Sequence, residues 1–172
     1  KMRNQTYGRG FAVRTSDSNN WNTTIITIGK KHEPWVESGI ERYEKRLKQP
    51  WNITWVLLPH SSLEGTQARS EESQRIARRI SPTDYVILLD ETGKSFSSPT
   101  LSGLLERSFG EGKAITMIIG GAYGVTNELK QRADTVWSLS QLVFPHQLVR
   151  LVLTEQLYRA QSIANGSQYH HS

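Results

Sequence analysis

Two short, almost uninterrupted apolar runs constrain this chain most: Tyr85–Leu89 (YVILL) and Ala114–Ile119 (AITMII). A strand apolar at nearly every position, rather than at alternate ones, has both faces covered, as parallel sheets between helices require. The runs Thr23–Ile28 (TTIITI) and Ile53–Leu58 (ITWVLL) read as further strands, and Thr135–Leu139 as a fifth. Helical patterns separate them. Pro34 opens a helix whose Val36, Ile40, Tyr43 and Leu47 share one face before Pro50 ends it. His60–Gly65 reads as a loop, and Ser70–Ile80 as a mostly polar helix with Ile76 and Ile80 on one side. Ser98-Pro99 starts a helix that turns Leu101, Leu104, Leu105 and Phe109 inward. Thr126 caps a short helix to Ala133, and Pro145-His146 opens a last long helix to about Ala164. Strands alternating with helices at this length imply an α/β fold, with a mostly parallel sheet flanked by helices, in a single domain.

Charge is unevenly placed. The formal net charge is +5, and residues 1–31 hold six basic groups against one acid, Asp17. The remaining 141 residues carry 15 basic and 15 acidic groups and are neutral as a body. That balance argues against a protein gripping nucleic acid mainly by counterion release. An enzyme docking on folded RNA through a local patch stays open. Arg69, Arg75, Arg78 and Arg79 form either such a patch or a solvated helix face beside Glu71 and Glu72. Residues 1–22 are rich in Asn, Ser, Thr, Gly and Arg and read as a flexible basic N-terminal arm, with the domain spanning 23–172. Cysteine is absent, which excludes a disulfide scaffold, a cysteine nucleophile and a thiolate metal site, and fits a cytoplasmic location. No apolar run approaches the roughly 20 residues that span a bilayer.

Gly120-Gly121-Ala122-Tyr123-Gly124 follows a buried strand, where open α/β sheets bind ligands. Its spacing is neither G-x-G-x-x-G nor a P-loop, so a pyrophosphate cradle is not expected, and a plain tight turn is an equal reading. Residues 135–172 contain only three formal charges, Arg150, Glu155 and Arg159. Leu148, Val149, Val152, Leu153, Leu157 and Tyr158 make a wide apolar stripe that the sheet or a second subunit must cover. Glu155 and Arg159 sit four residues apart, as either a simple helix pair or a functional one. The two tail histidines, His170 and His171, make no convincing metal site, and none is expected.

These residues together resemble the RlmH family (formerly YbeA) of SPOUT-class RNA methyltransferases. The resemblance rests on Ile26-Thr27-Ile28-Gly29-Lys30-Lys31, on Leu88-Leu89-Asp90 with Gly93-Lys94, and on Ile118 through Gly124. It continues through Leu139-Ser140-Gln141-Leu142-Val143-Phe144-Pro145-His146-Gln147, then Arg150 through Ala160, and ends at Tyr169-His170. It covers roughly residues 24–171. It implies a trefoil-knotted SPOUT methyltransferase fold, an exception to the rule against threaded chains, and a homodimer with the last helix at the interface. S-adenosyl-L-methionine would contact Leu89, Gly120, Ser140, Gln141, Leu142, Val143, Phe144 and Pro145. The implied substrate is N3 of a pseudouridine in 23S rRNA of the large ribosomal subunit.

In-line methyl transfer needs alignment and a deprotonated imide nitrogen. The candidates are His146 or His170 as base, Arg159 held by Glu155 to stabilise negative charge, and Tyr169 stacking on a flipped base. For His146, a structural place at the start of the last helix is an equal reading. Competing readings are a SPOUT methyltransferase acting on another rRNA or tRNA base and a non-catalytic ribosome-binding relative. The family tail often ends in a basic residue after Tyr-His, where this chain has His171.

Overall fold

The computed structural model describes residues 22–171. The expected arm at 1–22 therefore lies outside the described residues, apart from Asn22. Five strands form one sheet: β1 (Thr23–Ile28), β2 (Ile53–Leu58), β3 (Tyr85–Lys94), β4 (Ile115–Ile119) and β5 (Thr135–Trp137). Their order is β2-β1-β4-β3-β5, and every neighbouring pair is parallel. Five helices alternate with them: α1 (Pro34–Glu44), α2 (Gly65–Ala77), α3 (Ser98–Gly110), α4 (Asn127–Arg132) and α5 (His146–Ala164).

Alternation along each strand divides the core in two. Ile25, Ile87, Met117 and Ile119 face one side, where Leu101, Leu105 and Phe109 of α3 and Leu153, Leu157 and Ala160 of α5 cover them. Ile26, Ile28, Val86, Leu88 and Ile118 face the other, under Ile76 of α2 and Leu129 of α4. Helices cover both faces, which is why the central strands lack a regular polar alternation. Helix α5 packs against α1 as well, where a Cβ on Gly39 would come within 2.7 Å of Leu151.

Element boundaries differ from the sequence reading most at four places, and α2 also ends at Ala77 rather than Ile80. Helix α2 begins at Gly65, inside the expected loop, because Ala68 alone is buried in its first turn and leaves almost no periodicity. Leu47 is buried beyond the end of α1, on the turn that follows it. Strand β3 runs on to Lys94, which pairs with Trp137 and accepts from Ser138 N at 2.9 Å. Gly93 permits this crossing, since a Cβ there would lie 2.8 Å from Trp137 N. Strand β5 stops at Trp137, and Leu139 belongs to the loop beyond. The Thr126 cap is as expected, accepting from Leu129 N.

Candidate active site

The carboxyl ends of β3 and β4, the loop after β5 and the start of α5 enclose a cavity of about 330 Å³. Leu88, Leu89, Asp90 and Glu91 come from β3, and Ile119 with the Gly120–Val125 turn from β4. Leu139, Ser140, Leu142, Val143 and Phe144 come from the loop after β5, and His146 and Val149 from α5. The glycine turn is closed by the Gly124 N–H donating to Gly121 O at 3.0 Å. A Cβ on Gly120 would press on Val125 at 2.9 Å. The loop is turned by Ser138 Oγ donating to Ser140 O, and by Leu142 N donating to Ser140 Oγ. These bonds push Leu142 and Val143 outward, 70% and 78% exposed, as an apolar rim.

Of the eight expected cofactor contacts, Leu89, Gly120, Ser140, Leu142, Val143 and Phe144 line this cavity. Gln141 and Pro145 lie in the same loop but off the wall. Apolar walls and backbone edges, without a cluster of phosphate-binding groups, suit an adenosyl group joined to an amino acid. No group of three or more His, Asp or Glu able to hold a metal occurs among the described residues.

The expected catalytic residues fall into two places. His146 is half-buried at the cavity wall, as the first residue of α5. Burial first, then the charges of Arg150 and His60, lower its pKa, while Glu72 opposes them. The other four residues gather around the far part of the helix. Glu155 Oε1 accepts from Arg159 Nε at 2.9 Å and Nη2 at 2.6 Å, and from Tyr169 Oη at 3.2 Å. Arg159 Nη1 is 3.0 Å from His170 Nδ1; a guanidinium only donates, so Nδ1 accepts. The hydrogen bonds that Arg159 donates to Glu155 raise its pKa further, and burial with the Tyr43 hydrogen bond pushes Tyr169 up to about 12. The Tyr169 ring lies 4.9 Å from the Arg159 guanidinium and edge-on to Tyr158 at 4.7 Å. At 1.5 Å per residue, about 20 Å of helix separates His146 from Arg159.

Sequence reasoning passed over Arg150 and Glu72. Arg150 is 1% exposed, yet it donates to the carbonyls of Ile28 (3.1 Å), Gly29 (3.4 Å) and Lys31 (2.9 Å) and meets His32 Nδ1 at 3.3 Å. It ties α5 to the end of β1. Glu72, read as one edge of a solvated helix face, is 3% exposed and points back toward the sheet. The arginines of that helix do not form one free patch. Arg69 donates to Tyr123 O, Arg75 donates to Pro59 O and pairs with Glu71, and Arg78 is exposed. The missed signal for Glu72 was its position four residues before Ile76 and four after Ala68, on the buried side of α2.

A family model described as "Predicted SPOUT methyltransferase" matches residues 21–170. The chain belongs to the SPOUT methyltransferases, enzymes that take their methyl group from S-adenosylmethionine, and the sheet and helices above are that α/β fold in a single small domain. Within them it belongs to the ribosomal RNA large subunit methyltransferase H (RlmH) family. It is 38% identical over 154 residues to the protein of that name from Desulfitobacterium hafniense, covering 85% of this chain and 96% of the relative. The relative from Acetivibrio thermocellus is 39% identical over 155 residues (86% and 98% covered), and that from Streptococcus mutans 40% over 154 (85% and 97%). Solved structures of the SpoU methyltransferase AviRb from Streptomyces viridochromogenes superpose at TM-scores of 0.44 and 0.40, with 11% and 14% identity, a slight likeness.

Proposed function

We propose that this chain methylates N3 of a pseudouridine in 23S rRNA of the large ribosomal subunit, acting in the cytoplasm as a homodimer. The observation that carries this reading is the division of the site along α5. His146 stands at the cavity, and the Glu155–Arg159–Tyr169–His170 cluster stands about 20 Å further along the same rigid helix. One protomer cannot bring both to a single base. Two copies meeting across the half-exposed stripe of Leu148 and Val152 would set one protomer's cluster beside the other's cavity.

S-adenosylmethionine, when bound, supplies an electrophilic methyl. Leu89, Gly120 and the loop from Ser140 to Phe144 would hold it by apolar contact and backbone edges. His146, favoured in its neutral form, is suited to accept the N3 proton. Arg159, fixed in orientation by two bonds to Glu155, offers a standing positive charge to the anionic ring. Tyr169 and His170 hold Arg159 from the other side, so in this arrangement the Tyr169 ring braces the guanidinium.

The test uses large subunits from cells lacking the protein, labelled methyl donor and mass mapping of the nucleosides. N3-methylpseudouridine in 23S rRNA is the expected product; methylation of another base, of tRNA or of nothing overturns the reading. Mixing His146→Ala with Arg159→Ala protein should restore about a quarter of wild-type activity, because half the dimers then hold one intact pair. No recovery on mixing would sink the two-protomer site.

A further inference from the structure

At the carboxyl edge of the sheet, the loops after β1 and β2 and the glycine turn after β4 form a rim that the proposed mechanism does not use. Lys30 and Lys31 are exposed on the loop after β1, and neither pairs with an acid among the described residues. Their backbone is pinned from below: Arg150 donates to Gly29 O and Lys31 O, and Gln147 Nε2 donates to Lys31 O at 3.2 Å. The loop is thus fixed while both ammonium groups face solvent. Across the rim, Arg69 Nε donates to Tyr123 O at 2.7 Å, and neither of its Nη nitrogens has a partner among the described residues. Tyr123 sits in the turn whose Gly121, Ala122 and Gly124 line the cavity. It is 42% exposed, and its ring meets no other aromatic among the described residues. His60 joins the two halves. Its Nε2 lies 3.5 Å from where a Cβ on Gly29 would be, and its Nδ1 lies 3.9 Å from Glu72, which backs onto Gly121. Of the acids nearby, Glu33 accepts from Trp35, Glu71 pairs with Arg75 and Glu72 is buried, while Glu64 is exposed at the start of α2.

We propose that this rim is where the RNA strand carrying the target base docks, with Lys30, Lys31 and Arg69 on its phosphates and the Tyr123 ring stacked on a base beside the target. This rests on the reading that the substrate is ribosomal RNA. A body with no net charge beyond residue 31 has no general pull on a polyanion, so backbone contacts must come from cations gathered in one place. Cations already spent in ion pairs are poor phosphate ligands; these three are free of acids among the described residues. Arg69 is held by its Nε, which leaves the planar Nη edge in a fixed orientation, suited to two phosphate oxygens. An exposed ring beside fixed cations matches a partner that alternates anions with flat apolar faces, as a single strand of RNA does and an acidic peptide does not. The place also fits the chemistry, because the turn that carries Tyr123 is a wall of the cavity. Arg69 rises from α2, across the sheet from the stripe of α5 proposed as the interface, so a dimer formed there leaves it open.

The test is binding of the labelled full chain to unmodified large subunits, followed by sedimentation between 50 and 200 mM salt. Lys30→Gln combined with Lys31→Gln should weaken binding about tenfold and flatten the slope of log affinity on log salt by about 1 to 2. Tyr123→Ala should weaken binding about tenfold while leaving that slope unchanged, and Tyr123→Phe, which keeps the ring, should bind as wild type does. In single-turnover methylation the lysine variant should raise the half-saturating subunit concentration far more than it lowers the saturating rate. Calorimetry with S-adenosylmethionine and thermal unfolding should match wild type, which separates docking from folding. Hydroxyl-radical cleavage of 23S rRNA should show a stretch that wild type protects and the lysine variant does not. Wild-type affinity and salt slope in the lysine variant, equal rRNA protection by both proteins, or a loss confined to the saturating rate overturns the proposal. If wild type binds the subunits but makes no N3-methylpseudouridine, the ribosomal methylation reading fails, while the salt slopes and the protected stretch still decide the rim.

Discussion

Arg150 Nη1 donates to the carbonyl oxygen of Lys31 at 2.9 Å, joining the last helix to the loop after the first strand across 119 residues of sequence. The same guanidinium reaches Ile28 and Gly29, so one side chain satisfies the carbonyls left over where β1 ends.

Replacing Arg150 should therefore act on stability before it acts on chemistry. Arg150→Leu strands those buried carbonyls and is expected to cost on the order of 3 kcal/mol, read as a fall in the urea midpoint. Arg150→Lys keeps the charge but not the fork, and should fall between the two.

His32 makes the fold sensitive to mild acid. Burial, then the charge of Arg150, holds its pKa at about 4 against 6.5 in the unfolded chain. The native state thus favours neutral His32, and its contribution is complete above pH 6.5. As pH falls from 6.5 to 4 the unfolded chain binds the extra proton and stability declines, by a few kcal/mol at most. Urea unfolding at pH 7 and pH 5 should show this slope, and His32→Asn, whose amide oxygen can still accept from Arg150, should lack it.

Arg159→Ala should leave donor binding largely intact and abolish turnover, because the guanidinium lies far along α5 from the cavity. The pair with Glu155 is only partly buried, so the stability cost should stay below about 1 kcal/mol. Calorimetry, single-turnover kinetics and thermal unfolding separate the three. Full activity in this variant removes Arg159 from the chemistry.

Deleting residues 168–172 should remove methylation without unfolding the chain. Among the described residues, the tail's hydrogen bonds go to Glu155, Arg159, Ser167 and Tyr43 rather than to the buried core. Circular dichroism checks the fold and nucleoside mapping the activity; undiminished methylation would clear Tyr169 and His170 of any part.

Gly93→Ala tests the crossing of β3 over β5. The added carbon would meet the backbone of Val136 and Trp137, which cannot swing aside as a side chain would. A loss of about 1–3 kcal/mol in chemical unfolding is expected; an unchanged midpoint would mean that the two strands separate freely there.

The strands and most helix starts were legible because their signals are local. Tyr85–Leu89 and Ile115–Ile119 are apolar at nearly every position, and a run buried on both faces declares itself without knowledge of its neighbours. The loop carrying Ser140 to Phe144 and the Glu155–Arg159 spacing were legible through family resemblance and helical period. What remained hidden depends on contacts between distant segments. Lys94 is a strand residue only because Trp137 pairs with it, and Glu72 is buried only because α2 lays it against Gly121. Arg150, which composition would send to the surface, is interior because the end of β1 offers it carbonyls. Local periodicity decides which segments are strands and helices, since backbone geometry sets those repeats. Which polar groups end up inside is decided by partners distant in sequence, 49 residues away for Glu72 and Gly121 and 119 for Arg150 and Lys31, and only the folded chain brings them together.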